Sequence, residues 1–149
     1  MHLYFQFPLV LILALLLNSC QQKEPTNIPQ QIISKHKIVF NEPPQKIPVP
    51  HSVDAPMLGN GYTGVAISGN PEKQVYYIAR NDFWRLKSSY SESFPAVLGK
   101  IEIDIPGLKD ASYLVEQDLY QASTLSEFST EGQDVNFITY VSATEDLML

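Results

Sequence analysis

The residues of this chain best suited to chemistry form one run, Asn81-Asp82-Phe83-Trp84. Trp and Phe rings stack on the apolar face of a sugar, while Asn and Asp side chains hydrogen-bond to its hydroxyl groups. The run therefore predicts a glycan contact made by Asn81, Asp82 and Trp84. In the alternative, structural interpretation, Trp84 fills the core of the domain and Asp82 caps a turn through its carboxylate.

The rest of the sequence offers no catalytic or metal-binding pattern. His2, His36 and His51 all precede the predicted domain, so no Ser-His-Asp triad is expected, and no two of them have the spacing of metal ligands on a helix. The single cysteine, Cys20, excludes an internal disulfide and a cysteine-based zinc cluster. Gly59-Asn60-Gly61 lacks the Lys-Ser/Thr pair of a phosphate-binding loop, and its glycines indicate a turn. We expect no metal and no cofactor.

Composition places further limits on function. The 149 residues carry a net charge of −6, and their basic residues are scattered. A surface that binds the phosphate backbone needs clustered positive charge, so nucleic acid is not an expected partner. A chain of this length allows one domain at most. Its eight tyrosines and seven phenylalanines favour β structure.

Two predicted strands must position the Asn81–Trp84 run. Apolar residues occur at Val65–Ile67 and again, with β-branched and aromatic side chains, at Val75–Ile78. Gly69-Asn70-Pro71 lies between them and predicts a hairpin turn, because Gly and Asn tolerate positive φ and Pro leaves the hydrogen-bonded ladder. Gly59–Gly61 predicts the turn before the first strand. The Asn81–Trp84 run would then form a tip at the end of the second strand.

Further strands follow at short intervals. Lys100–Ile105 alternates charged residues with Ile and predicts a half-buried strand, which Pro106-Gly107 ends with a turn. Tyr113–Leu119 and Leu125–Ser129 are two more candidates. Val135–Val141 is apolar on both faces and is expected to be a central strand. Because the strands are short and no segment has helical periodicity, we expect an all-β, antiparallel two-sheet sandwich.

The N-terminal segment predicts export and a lipid anchor. Leu9–Leu17 is too short to cross a bilayer, which takes about 20 residues, and it suits a signal peptide covering residues 1–19. Leu17-Asn18-Ser19-Cys20 resembles the lipobox of bacterial lipoproteins, which implies acylation of Cys20 and attachment to a bacterial outer membrane. Gln21–Glu24 resembles the export signals of surface lipoproteins. Met1–Phe7 lacks Lys and Arg, so a plain secretory signal or an uncleaved leader is the alternative.

Residues 20–55 are rich in proline, which fixes φ and removes hydrogen-bond donors. They predict a semi-extended tether in front of a domain that covers residues 56–149. Lys37–Phe40 is an exception and predicts an edge strand. The alternative to a tether is a strap that packs along the sandwich.

The order of these motifs resembles a known family of enzymes. Leu58-Gly59-Asn60-Gly61, two apolar strands and Asn81-Asp82-Phe83-Trp84 are similar to the opening of the N-terminal domain of glycoside hydrolase family 95 and its relatives in family 65, with one residue fewer before the Trp. A looser likeness continues through Leu119, Ala122, Glu127-Phe128 and Asp134. The resemblance covers residues 56–149.

The resemblance implies a large two-sheet super-sandwich, of which this chain would hold the N-terminal part and Asp146–Leu149 would enter a further strand. Catalysis in these families belongs to a helical (α/α) barrel that follows the sandwich, so no residue of this chain is expected to be catalytic. The implied substrates are glycans with α-linked fucose or galactose, and the Asn81–Trp84 tip would either contact them or dock on the barrel. Two other hypotheses stay open: a non-catalytic surface lipoprotein that binds glycans, and a fragment with no independent function.

Overall fold

The structure, a computed structural model, describes residues 28–49, 53–86, 88, 93–145 and 147–149. Within this part the chain forms one short helix and eight strands: α1 (Ile28–Ile33), β1 (Lys37–Phe40), β2 (Met57–Gly59), β3 (Thr63–Asn70), β4 (Lys73–Arg85), β5 (Phe94–Asp104), β6 (Ser112–Asp118), β7 (Ser123–Ser129) and β8 (Asp134–Tyr140). The strands form two antiparallel sheets, sheet 1 with the order β1-β6-β7-β8 and sheet 2 with the order β2-β3-β4-β5. The predicted all-β, two-sheet sandwich is confirmed.

The predicted hairpin is the β3–β4 pair of sheet 2. Its strands are aligned so that Val65 lies opposite Ile78 and Ile67 lies opposite Tyr76. Gly69 adopts a φ of 93°, and a Cβ at this position would lie 2.0 Å from the carbonyl oxygen of Lys73. The turn therefore requires glycine here, both for its positive φ and for the close approach of the two backbones.

The core lies between the sheets in two clusters of apolar side chains. The first contains four buried residues of sheet 2 and one from the segment after β8, namely Leu58, Val65, Ile67, Tyr76 and Val141. The second contains Leu108, Val115 and Phe128, which are nearly inaccessible to solvent. The ring of Tyr113 stacks beside that of Phe128, with 5.4 Å between the centroids. Burial of this apolar area holds the two sheets together.

The edge strand predicted at Lys37–Phe40 is confirmed as β1, which pairs with β6 at the edge of sheet 1. The sandwich thus includes residues on the N-terminal side of the predicted domain start at residue 56. Further along, Pro48 and Val49 line a groove with Tyr77 and Val97 of sheet 2. This is the arrangement expected of a strap. The predicted signal peptide and Cys20 lie outside the described residues.

The prediction that Val135–Val141 forms a central strand is wrong. β8 is the last strand in the order of sheet 1, and 69% of Ile138 is exposed. Phe137 packs towards Phe128 in the core, while Ile138 lies on the opposite, outer face. Apolar residues on both faces of a strand therefore do not require a neighbouring strand on both sides. At its end, Val141 forms a bridge with Met148, so the last described residues begin to pair beside β8.

The alternation of faces predicted for Lys100–Ile105 is confirmed in β5, which ends at Asp104, but the prediction that this strand is half-buried is wrong, since its residues 100–104 are all exposed. Lys100, Glu102 and Asp104 share the outer face of sheet 2. There, Nζ of Lys73 on β4 lies 3.0 Å from Oε2 of Glu102 and 3.7 Å from Oδ1 of Asp104. Ile101 lies opposite the buried Tyr76 and so faces the core side. It nevertheless stays 42% exposed, because the core clusters do not extend over β5.

Candidate functional site

The tip is formed by the far end of β4. Pairing between β3 and β4 ends where Thr63 lies opposite Arg80, so the strand runs on past its hairpin partner. On its other side the register with β5 shifts between Ala79 and Trp84, and β4 holds more residues than β5 in this interval. A strand with extra residues bends out of its ladder. This bulge places Asn81-Asp82-Phe83-Trp84 at the rim of the sandwich, where all four residues are exposed.

Asn81 fixes the tip to the turn between β2 and β3. Its backbone N–H donates to the carbonyl oxygen of Tyr62 at 2.9 Å, and its side-chain Nδ2 donates to that of Gly61 at 2.9 Å. Its own carbonyl oxygen accepts from Nε1 of Trp84 at 2.7 Å. The amide nitrogen of Asn81 is thus engaged within the protein, and the indole ring of Trp84 is held by its polar edge.

Asp82 is held by a charged and a phenolic partner. Arg80 donates from Nε to Oδ1 at 3.1 Å and from Nη2 to Oδ2 at 3.3 Å, a two-point contact. The hydroxyl of Tyr62 donates to Oδ2 at 3.5 Å, and the guanidinium of Arg80 lies 4.8 Å from the centre of the Tyr62 ring. The hydrogen bonds from Arg80 lower the pKa of Asp82 below its ordinary value. The side chain is therefore an ionised acceptor at neutral pH.

Three aromatic side chains of the tip and the adjacent turn are exposed. Phe83, Trp84 and Tyr62 retain 43%, 45% and 45% of their surface. None of them belongs to either core cluster, so the alternative in which Trp84 fills the core does not describe this structure. Because the indole N–H of Trp84 is already used, the capacity that remains at the tip is mainly the apolar surface of the rings and the oxygens of Asp82.

Asn60 supports the site in a way that the sequence did not indicate. Its Oδ1 accepts from the backbone N–H groups of Tyr62 and Thr63, each at 2.8 Å. Its Nδ2 donates to the carbonyl oxygens of Ser142 at 2.9 Å and Glu145 at 3.3 Å, on the segment that follows β8. Asn60 therefore links the turn that carries Tyr62 to the end of sheet 1. The glycines of the Gly-Asn-Gly pattern indicated a turn, but not the hydrogen bonds of the Asn60 side chain.

A second concave region lies on the outer face of sheet 2. It is an apolar groove of about 250 Å³, with small residues of the sheet in its lining (Gly64, Ala66 and Ala79) and strap residues beside them (Pro48, Val49 and Val53). No set of three or more His, Cys, Asp or Glu side chains that could hold a metal ion occurs in the part of the chain that the structure describes. Nor does any helix among these residues have the length and apolar character needed to span a membrane.

No protein-family model matches the chain, and a search of curated proteins finds no match.

Proposed function

We propose that this chain is a sugar-contacting β-sandwich, the N-terminal portion of a lipid-anchored glycoside hydrolase resembling family 95, and that it is inactive by itself. The observation that supports this proposal best is the exposed tip, which carries the exposed Trp84 ring and, two residues earlier in β4, the ionised carboxylate of Asp82. Catalysis would belong to an (α/α) barrel outside this chain. The anchor would be an acylated Cys20, and the substrates would be glycans that carry α-linked fucose or galactose.

The chemistry of the tip suits a sugar. A pyranose ring presents an apolar face of C–H groups, which stacks on an indole, and hydroxyls around its edge, which donate to a carboxylate. Asp82 supplies an ionised acceptor whose orientation Arg80 and Tyr62 already fix. The contact therefore requires little reordering of side chains, which reduces the entropic cost of binding.

A second candidate function is that of a non-catalytic surface lipoprotein that binds glycans. One observation favours it: the polar contacts that hold Asn81, Asp82 and Trp84 all come from this chain. The tip is thus formed without help from another domain. In this alternative the same residues bind the same class of ligand, and no cleavage follows.

Titration of the protein with oligosaccharides that end in α-fucose or α-galactose tests the shared part of both candidates. We expect Trp84→Ala to weaken binding at least about tenfold, because a stacked ring and its buried area are lost. Leu86→Ala is the matched control: Leu86 is also exposed, lies just beyond β4, and should leave binding unchanged. Equal affinities of the Trp84→Ala variant and the unchanged protein would refute the tip as a sugar site.

The intact mass of the native product separates the two candidates. A mass far above the 16.8 kDa of this chain, with an acyl increment on Cys20, would support the hydrolase portion. Cleavage of α-fucosides or α-galactosides by that longer protein would then be expected. A mature product that starts at Cys20, ends at Leu149 and binds sugars would support the non-catalytic lipoprotein instead.

A further inference from the structure

β5 is the outermost strand of sheet 2, and no other strand of the described residues pairs with its free edge. We propose that this edge binds a second copy of the chain, so that two copies of sheet 2 join into one continuous antiparallel sheet around a two-fold axis at Ile101. The inference is independent of the function of the tip. It rests on the regularity of the edge, on its exposed apolar residues and on its charges.

The part of β5 suited to pairing is regular and apolar on one side. From Gly99 to Asp104 the strand pairs with β4 without a shift in register, and the irregularity begins only beyond Gly99, at Leu98. Ile101 and Ile103 lie on the core side of the sheet and remain 42% and 37% exposed. An edge with unpaired backbone groups and exposed apolar side chains is a template for another strand. Pairing with a second copy would cover both.

Charge determines the register of such a pair. With the two-fold axis at Ile101, Lys100 of each copy lies opposite Glu102 of the other, so two opposite-charge pairs form on the outer face. On the core side, Ile101 lies opposite its own counterpart and Ile103 lies opposite Gly99, whose lack of a side chain leaves room for it. Directly opposed pairs of this kind stabilise an antiparallel ladder.

Neighbouring registers place like charges together. An axis at Lys100 brings Lys100 against its own counterpart. An axis at Glu102 brings Glu102 against its own counterpart, although it also sets Lys100 opposite Asp104 twice. An axis at Ile103 sets Glu102 opposite Asp104 twice. Like charges directly opposed across a ladder are destabilising. Of these four registers, the one centred on Ile101 alone combines two opposite-charge pairs with no like-charge pair, so it is favoured over the other three.

The ion pairs within the single chain are compatible with this pairing of two copies. Lys100 contacts Glu102 of its own strand, and Lys73 contacts both Glu102 and Asp104. On pairing, Lys100 moves to Glu102 of the second copy, while Lys73 still pairs with both carboxylates. No charge loses its partner, because each Lys100 that leaves is replaced by the Lys100 of the other copy.

Cysteine cross-linking of the full chain, in a Cys20→Ser background, tests the register. We expect Ile101→Cys to give a disulfide-linked dimer on oxidation, because the two side chains at the axis face each other. Ile103→Cys is the matched control on the same side of the strand. Its counterpart would lie four residues away along the strand, about 13 Å, beyond the reach of a disulfide. Equal cross-linking at both positions, or none at 101, would overturn the proposal.

Sedimentation equilibrium between about 10 µM and 1 mM tests the charges without a cross-link. We expect Lys100→Glu to raise the dimer dissociation constant at least about tenfold, since two attractive pairs become repulsive. The double variant Lys100→Glu/Glu102→Lys should return it to within about threefold of the unchanged protein, because the opposite charges face each other again. If the chain stays monomeric throughout this concentration range, the edge of β5 does not bind a second copy, and the inference is contradicted.

Discussion

Asn60 is expected to contribute more to stability than its place in a surface turn indicates. It makes four hydrogen bonds, two that hold the turn before β3 and two that reach the segment after β8. A net hydrogen bond is worth about 0.5–1.5 kcal/mol, and the turn amides can regain water once the side chain is removed. Asn60→Ala should therefore lower the free energy of unfolding by about 2 kcal/mol.

A further variant divides this effect between its parts, and a second serves as the control. Asn60→Asp keeps the acceptor for the amides of Tyr62 and Thr63 but replaces the donor with an oxygen that faces the carbonyls of Ser142 and Glu145. It should retain the turn and lose the link between the sheets, at a cost of about 1–2 kcal/mol. Asn136→Ala is the control, because Asn136 is an exposed residue of β8. It should change stability by no more than about 0.5 kcal/mol.

Urea denaturation measures these differences. With a slope of about 1–3 kcal/mol per molar urea, a loss of 2 kcal/mol moves the midpoint by roughly 1 M. Asn60→Ala and Asn136→Ala with the same midpoint would refute the link between the sheets. If Asn60→Asp matched the unchanged protein while Asn60→Ala did not, the contacts with Ser142 and Glu145 would be shown to carry no stability.

Two other predictions concern the hairpin turn and the core. Gly69→Ala should destabilise the protein by more than about 3 kcal/mol in urea denaturation, because the added Cβ would lie 2.0 Å from a backbone oxygen and the φ of this residue is 93°. Gly132→Ala is the control. A Cβ at Gly132 has no neighbour within 4 Å, so this change should cost less than about 0.5 kcal/mol. Burial raises the pKa of Tyr113 to about 12, so the native state keeps this proton after the unfolded state has lost it. Stability should then fall as the pH rises from about 10 to 12, and Tyr113→Phe should flatten that fall; an unchanged slope would show that other groups cause it.

Features with a local cause could be predicted from the sequence. The turn at Gly69 depends on the residues beside it, and the alternation of β5 depends on the consecutive residues Lys100–Ile105. The order of the strands has no such local signal. β1 pairs with β6 although Lys37 and Asp118 are far apart in the chain, and the same non-local order leaves β8 at the end of its sheet rather than at the centre. Hydrophobic pattern gives the faces of a strand, and only packing gives its neighbours.

The candidate site divides in the same way. The sequence located Asn81-Asp82-Phe83-Trp84, but it could not decide between core and surface for Trp84, because an aromatic side chain suits either. The bulge that turns this run outwards arises from unequal numbers of residues in β4 and β5, which two separate stretches of sequence do not reveal. The contribution of Tyr62 was missed because it depends on the turn that brings it beside Asp82.

The way the tip is held also bears on what it binds. The amide of Asn81, the indole N–H of Trp84 and the carboxylate of Asp82 all have partners within the chain. The unused capacity is aromatic surface, with additional acceptor sites on a carboxylate that already has a fixed orientation. A ligand that combines a flat apolar face with hydroxyl donors at its edge matches this remainder, and a sugar has that form. If the tip instead docked on a protein domain, replacement of Trp84 would leave the binding of isolated oligosaccharides unchanged.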